Sequence, residues 1–137
     1  TGETKEERLN DLLSEFPVIN NRFGGLSSRY SYHVTLADTG VILFDGLVKM
    51  DSVTGKSQNY KFPKGEYGSE LQFAPRNNCH SEDDGYLITF VTNMESGKGE
   101  IQVFPAEDPS KGPLSRIILP QQIPPGFHSS YVLPENL

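Results

Sequence analysis

The stretch YLITFVTNMESGKGEIQVFP, residues 86–105, indicates the fold class of this chain. Two runs within it, 86–93 and 100–105, are rich in the β-branched and aromatic residues that favour β-strands. Between them lies SGKG, residues 96–99, in which glycine supplies the positive φ that a tight reversal requires. The stretch therefore predicts an antiparallel β-hairpin.

The same alternation of short apolar runs and turn residues extends over most of the chain, from residue 17 to residue 119. Gly, Pro, Asn and Asp interrupt the runs at intervals of roughly 8 to 12 residues, which is typical of an all-β protein. Such strands form sandwiches, barrels or propeller blades, and periodicity does not choose among them, although seven strands make nearly two four-stranded blades. The predicted strands cover residues 29–36, 41–51, 58–62, 69–75, 86–93, 100–105 and 114–119.

The N-terminal residues depart from this β pattern. Thr4, with Glu7 three residues later, forms a capping box before Leu9, Leu12 and Leu13, and their spacing predicts a short helix. The whole chain has 137 residues, which is enough for one modest core. We therefore expect a single domain or a part of one.

Charge and composition exclude several classes of function. The chain has 12 Lys+Arg against 18 Asp+Glu and a net charge of −6, without a cluster of basic residues, so nucleic acid is an unsuitable partner. Its apolar runs are far shorter than the roughly 20 residues of a transmembrane helix, and residues 1–14 lack the apolar region of a secretory signal. Cys79 is the one cysteine, which excludes an internal disulfide. No serine or glycine motif indicates a hydrolase or a nucleotide site.

Three histidines are candidates for metal ligation, because imidazole is the usual protein ligand of first-row transition metals. His33 lies in the middle of a predicted strand and is interpreted as structural. His80 lies in a polar stretch with the composition of an exposed turn. His128 lies in a proline-rich tail, which we predict to be an irregular loop because proline donates no backbone hydrogen bond. Two prolines restrict the backbone before His128, which would suit a pre-organised ligand, but the pattern alone also fits a loop histidine that binds no metal.

The acidic residues fall into two groups. Glu70 alternates with Leu71 and Phe73, so its carboxylate is predicted to face a polar interior. Glu15 lies at the boundary between the predicted helix and an apolar segment, where partial shielding from water is expected. For Glu15 and Glu70 alike, a simple surface charge stays open as the alternative. The three acids of residues 82–84 precede a glycine and an apolar strand, and this pattern favours a solvated turn.

Four segments carry a family resemblance, in order along the chain: EFPVIN (15–20), SELQFAPR (69–76), EDDGYLITFV (82–91) and PPGFH (124–128). Together they resemble the closing motifs of the carotenoid oxygenase family. The family includes carotenoid and apocarotenoid cleavage enzymes, lignostilbene dioxygenases and the retinal-pigment isomerohydrolase. The resemblance implies a seven-bladed β-propeller with iron(II) on its axis, held by four histidines, and residues 1–137 are then the C-terminal part of that single domain.

The resemblance also implies roles for particular residues. His128 matches the final iron ligand, and Glu15 and Glu70 match glutamates that support the ligand histidines through hydrogen bonds. The three other ligand histidines and a third glutamate are expected upstream of residue 1. Phe127 is expected either to line the cavity for an apolar substrate or to serve in packing. Serine follows His128 here, where the family commonly has glycine.

The function implied by the resemblance is oxidative cleavage of a C=C bond in a carotenoid or apocarotenoid, with Fe(2+) as cofactor and O2 as co-substrate. Two alternatives stay open, a lignostilbene-type dioxygenase that cleaves phenolic stilbenes and a non-catalytic propeller segment. The isolated chain is expected to be inactive, since one histidine does not hold catalytic iron. The resemblance leaves room for peripheral membrane contact through regions outside this chain, and for a cytoplasmic or plastid location.

Overall fold

The computed structural model describes residues 2–8 and 10–132, and it confirms the all-β prediction. Within those residues there are nine strands, and neighbouring strands pair antiparallel. Residues Asn21–Phe23 and Pro109–Lys111 form short 3-10 turns. The strands are β1 (Ser14–Val18), β2 (Tyr30–Leu36), β3 (Phe44–Asp51), β4 (Ser57–Lys61), β5 (Glu66–Gly68), β6 (Gln72–Pro75), β7 (Gly85–Asn93), β8 (Lys98–Pro105) and β9 (Ser115–Ile118).

The strands form two successive four-stranded meanders joined in one sheet. Strands β1 to β4 pair in chain order to make the first meander, and β6 to β9 pair in chain order to make the second. The short strand β5 bonds to β3 on one side and to β7 on the other, so it joins the two units. Four-stranded antiparallel meanders are the form that propeller blades take.

The predicted N-terminal helix is wrong. Residues 2–8 and 10–13 contain no helix, and Leu9 lies outside the described residues. Leu13 is 70% exposed, so no apolar surface receives the predicted apolar face, and a helix this short is marginal without such packing. The Asn10 side chain instead accepts a hydrogen bond from the Leu12 N–H, and the chain then enters β1.

Two further details of the strand prediction differ from the structure. Strand β1 was not predicted, because Pro17 and the exposed Glu15 interrupt an apolar pattern and the strand forms only by pairing with β2. The predicted strand 69–75 begins only at Gln72, as β6, and the short strand β5, which ends at Gly68, was not predicted. Glu70 therefore lies in the link between two strands and not within one.

The core lies on the faces that the two meanders turn toward each other, where alternate side chains of each strand point inward. Edge-to-face aromatic contacts cross it, for example between Tyr60 and Phe104 with ring centroids 5.1 Å apart. Apolar burial of this kind is the main stabilising contribution. The core residues are Tyr32, Val34, Phe44, Leu47, Phe62, Leu71, Phe73, Leu87, Val91, Phe104 and Ala106.

The acidic turn before β7 connects the two meanders through hydrogen bonds and an ion pair. Its prediction as a solvated turn is wrong. The Glu82 carboxylate accepts hydrogen bonds from the backbone N–H groups of Arg29 and Tyr30, at 2.8 Å each. The Asp83 carboxylate pairs at 2.6 Å with the ammonium group of Lys49, which is buried on β3. Removing one partner of such a buried pair leaves an uncompensated charge, so these acids are structural.

Core packing yields a prediction with a matched control. Leu87 is fully buried on β7, whereas Leu114 is largely exposed before β9. In the protein that contains this chain, Leu87→Ala should lower the free energy of unfolding by about 2–5 kcal/mol, because it removes buried apolar contacts and leaves a cavity. Leu114→Ala should change it by less than about 0.5 kcal/mol. Denaturant unfolding measures both, and equal effects would contradict the described core.

Candidate metal centre

His128 lies in an irregular segment beyond β9, as the prolines predicted. We call residues 120–132 the strap. The His128 imidazole is 81% exposed, and its Nδ1 atom is 3.7 Å from Oε2 of Glu70, whose own side chain is 13% exposed. That distance is too long for a hydrogen bond but places a carboxylate directly beside one ring nitrogen. The imidazole is thus accessible and has a carboxylate behind it.

Three hydrogen bonds dock the backbone of the strap against the second meander. The Thr92 hydroxyl donates to the Ile123 carbonyl at 2.5 Å. The Gly126 N–H donates to Ser69 Oγ at 3.3 Å. The Ser129 N–H donates to Glu70 Oε2 at 2.8 Å, so the carboxylate next to His128 also holds the residue after it. The partners of the strap come from β7 and from the link between β5 and β6.

An aromatic contact reaches His128 from the first meander. The Phe16 ring meets the His128 ring edge to face, with centroids 5.5 Å apart, and it makes similar contacts with Phe44 and Phe127. Phe16 lies in a β-bulge between Glu15 and Val18 and has a φ of 53°, which bulky residues rarely adopt. Such a conformation costs about 1–3 kcal/mol and occurs most often at functional sites.

The structure does not bring Glu15 to His128. Glu15 pairs with Val34 on the edge strand β1, and its side chain is exposed. Within residues 2–8 and 10–132 its carboxylate makes neither a hydrogen bond nor an ion pair. The predicted support of a ligand histidine by Glu15 therefore stays a prediction. Phe127 contacts Phe16 and Phe44, which is the packing alternative for this residue.

The other two histidines lie where the sequence indicated. His33 is half-buried in β2, with its Nε2 atom 2.9 Å from the Ser31 hydroxyl, and burial lowers the pKa of its imidazole. His80 is exposed in the loop before the acidic turn. Among the described residues, no group of three or more His, Cys, Asp and Glu side chains has the arrangement of a metal site. Of the two exposed histidines in the described part of the chain, His128 is the one whose ring has a carboxylate within 4 Å.

Three residues at this site escaped the sequence analysis. Ser69 and Thr92 are buried hydroxyls whose partners are backbone atoms of the strap, and Phe16 reaches His128 through a bulge. Serine, threonine and phenylalanine are ordinary residue types in a β protein, so nothing in the sequence distinguishes these three. No local pattern identifies a hydroxyl whose partner lies more than thirty residues away, and the irregular backbone of the strap has no period to indicate the register.

Comparison with known proteins decides the family. The sequence profile of the retinal pigment epithelial membrane protein family matches residues 1–133. The chain belongs to the carotenoid oxygenase family. Among the relatives of this carotenoid oxygenase chain is the carotenoid 9,10(9',10')-cleavage dioxygenase 1 of Pisum sativum, which is 36% identical over 150 residues. That match covers all of this chain but 28% of the pea protein, and the matched region is the C-terminal part of the relatives.

Solved structures of the family share the fold. The lignostilbene dioxygenase of Pseudomonas brassicacearum matches with a TM-score of 0.83 and 24% identity, over 90% of this carotenoid oxygenase chain and 28% of that one. The cobalt-substituted apocarotenoid oxygenase of Synechocystis matches with a TM-score of 0.80 and 25% identity, over 88% of this chain and 25% of that one. These neighbours are propeller proteins, and the family is one of dioxygenases. Among the described residues, no helix is long and apolar enough to cross a membrane.

The buried environment of His33 predicts a pH dependence of stability. Because burial lowers the pKa of His33 below its ordinary value of 6.5, the unfolded chain binds this proton more readily than the folded one. The contribution of neutral His33 to folding stability is therefore fully present above pH 6.5 and is lost as the pH falls below that value. His33→Gln should flatten the decline in thermal stability between pH 7.5 and 5.5. A decline that persists in His33→Gln would contradict the assignment.

Proposed function

We propose that the protein containing this chain cleaves a C=C bond of a carotenoid or apocarotenoid with O2, and that His128 is one ligand of its iron(II). The observation that carries the proposal is the accessible His128 imidazole with the Glu70 carboxylate 3.7 Å behind its Nδ1 atom. Membership of the family and the carotenoid-cleaving relative from pea agree with this activity. The Synechocystis neighbour is a family protein that has been solved in a cobalt-substituted form.

The residues present fit iron through the chemistry of their donor atoms. Neutral imidazole nitrogen suits iron(II), and a ligand histidine commonly donates its other ring N–H to a carboxylate. Glu70 has the position for this role, and the contact would fix the tautomer that leaves Nε2 free for the metal. The negative charge of Glu70 would also help to balance a dication held by neutral ligands. Iron, when bound, would supply the activation of O2 beside the alkene.

The rest of the iron site belongs, on this proposal, to parts of the protein outside this chain. The two meanders provide the last blades of a seven-bladed propeller, and residues 1–137 are the C-terminal part of that one domain. Glu15 lies in β1 and Glu70 lies two residues before β6, so each is at or next to the first strand of its meander. We propose that these two carboxylates face the axis and that Glu15 supports a histidine of another blade.

The lignostilbene-type alternative uses the same iron site on a phenolic stilbene. The fold similarity to the lignostilbene dioxygenase favours neither substrate, because it extends to architecture alone. The residues that recognise a phenol or a polyene end lie, on this proposal, outside the chain. The isolated chain is proposed to be inactive and prone to associate, since four of its described strands pair on one side only, namely β1, β4, β6 and β9.

The chain provides a matched pair of histidines that tests the proposal. In the full protein, His128→Ala should abolish stoichiometric iron binding and alkene cleavage, because a ligand is lost. His80→Ala should retain both, since His80 lies in an exposed loop whose backbone bonds to Asp84. Iron is measured by metal analysis, and cleavage is assayed with an apocarotenoid and with a hydroxylated stilbene.

The two assays separate the outcomes. Cleavage of the apocarotenoid by the parent and by His80→Ala, with iron and cleavage lost in His128→Ala, is the expected result. Cleavage of the stilbene in place of the apocarotenoid would favour the lignostilbene-type alternative. Equal iron in His128→Ala and the parent would contradict the assignment of His128 and favour a non-catalytic segment.

A further inference from the structure

The strap that carries His128 depends on other parts of the chain for its hydrogen bonds. Three of its residues, Pro120, Pro124 and Pro125, have no backbone N–H, and it forms no strand within the described residues. Its backbone nevertheless makes hydrogen bonds with two hydroxyls that are almost fully buried, those of Ser69 (7% exposed) and Thr92 (4% exposed). A buried hydroxyl is costly unless it is paired, so these two groups favour one placement of the strap.

The bonded positions lie on both sides of the proline pair. Thr92 binds the carbonyl of Ile123 immediately before the prolines, and Ser69 binds the N–H of Gly126 immediately after them. Proline restricts φ to about −65°, so two fixed points around a proline pair leave the segment between them little freedom. His128 follows two residues beyond the second point.

Strand β8 contacts the N-terminal end of the strap. The Leu119 N–H donates to the Gly99 carbonyl at 2.9 Å. A Cβ atom at Gly99 would lie 3.1 Å from the Gln121 carbonyl oxygen and 3.1 Å from the Ile123 nitrogen. The strap therefore crosses β8 in direct contact at a residue without a side chain, and Thr92 holds it there.

We propose that Ser69 and Thr92 are positioning residues that set the location of the His128 imidazole relative to Glu70. This inference rests on the proposed function, because it assigns a purpose to the docking of the strap. Both hydroxyls act on the backbone of the strap and reach the ring through two to five residues of restricted chain. The strap is thus placed before any metal binds, which reduces the cost of ordering the ligand on binding.

The test uses the full protein with Thr92→Val, which removes the hydroxyl and keeps the branched shape. The change should lower iron affinity by roughly tenfold, a loss typical of groups that orient a metal ligand. In the metal-free protein, the amides of Gly126 and Ser129 should exchange hydrogen faster. Thr92→Ser, which restores the hydroxyl, should recover both properties, and Ser69→Ala should act like Thr92→Val.

The matched control is Thr35→Val, which removes a hydroxyl that binds Asp45 in the first meander and does not touch the strap. It should leave iron affinity and strap exchange unchanged. Unchanged iron affinity in both Thr92→Val and Ser69→Ala, while His128→Ala loses iron, would overturn the positioning role and leave the proposed function intact. Weaker iron binding without faster strap exchange would also overturn it. Parental iron content in His128→Ala would overturn the proposed function itself, and this inference with it.

Discussion

The contact between the Glu70 carboxylate and the strap is the interaction on which the candidate site depends. One oxygen of Glu70 accepts the Ser129 N–H at 2.8 Å and lies 3.7 Å from the Nδ1 atom of His128. Residues 59 positions apart therefore meet through one atom. Glu70 lies in the link between β5 and β6, and its neighbour Leu71 is buried in the core. The core therefore fixes where the Glu70 carboxylate points. The packing of the second meander thus also determines the position of His128.

The sequence predicted those parts of the fold that depend on local patterns. The hairpin of β7 and β8 was predicted because its alternation and its glycine turn are both contained in twenty residues. Elements that depend on distant partners were not. Strand β1 exists through pairing with β2 across a bulge, and the leucines of the predicted helix have no apolar surface to cover. The acidic turn resembled a solvated loop, since nothing local shows that Lys49 approaches Asp83 from a strand 34 residues earlier.

The candidate site was predictable only as far as motif resemblance extended. The resemblance identified Glu70 and His128, which the structure brings together, and Glu15, which the structure leaves at the sheet edge. It did not identify Thr92 or Phe16, because the first acts on a backbone carbonyl and the second acts through ring packing from a bulge. Contacts of this kind do not require a recognisable sequence pattern. The geometry of the irregular strap follows from tertiary contacts that periodicity does not record.

The central claim is that Glu70 supports His128 as a metal ligand, and Glu70→Gln tests it most directly. Glutamine keeps an oxygen that can accept the Ser129 N–H but removes the charge beside the imidazole. In the full protein we expect the affinity for iron to fall about 10- to 100-fold, whereas Glu95→Gln, at an exposed glutamate, should have no effect. Equal iron affinity in Glu70→Gln and the parent would contradict the account.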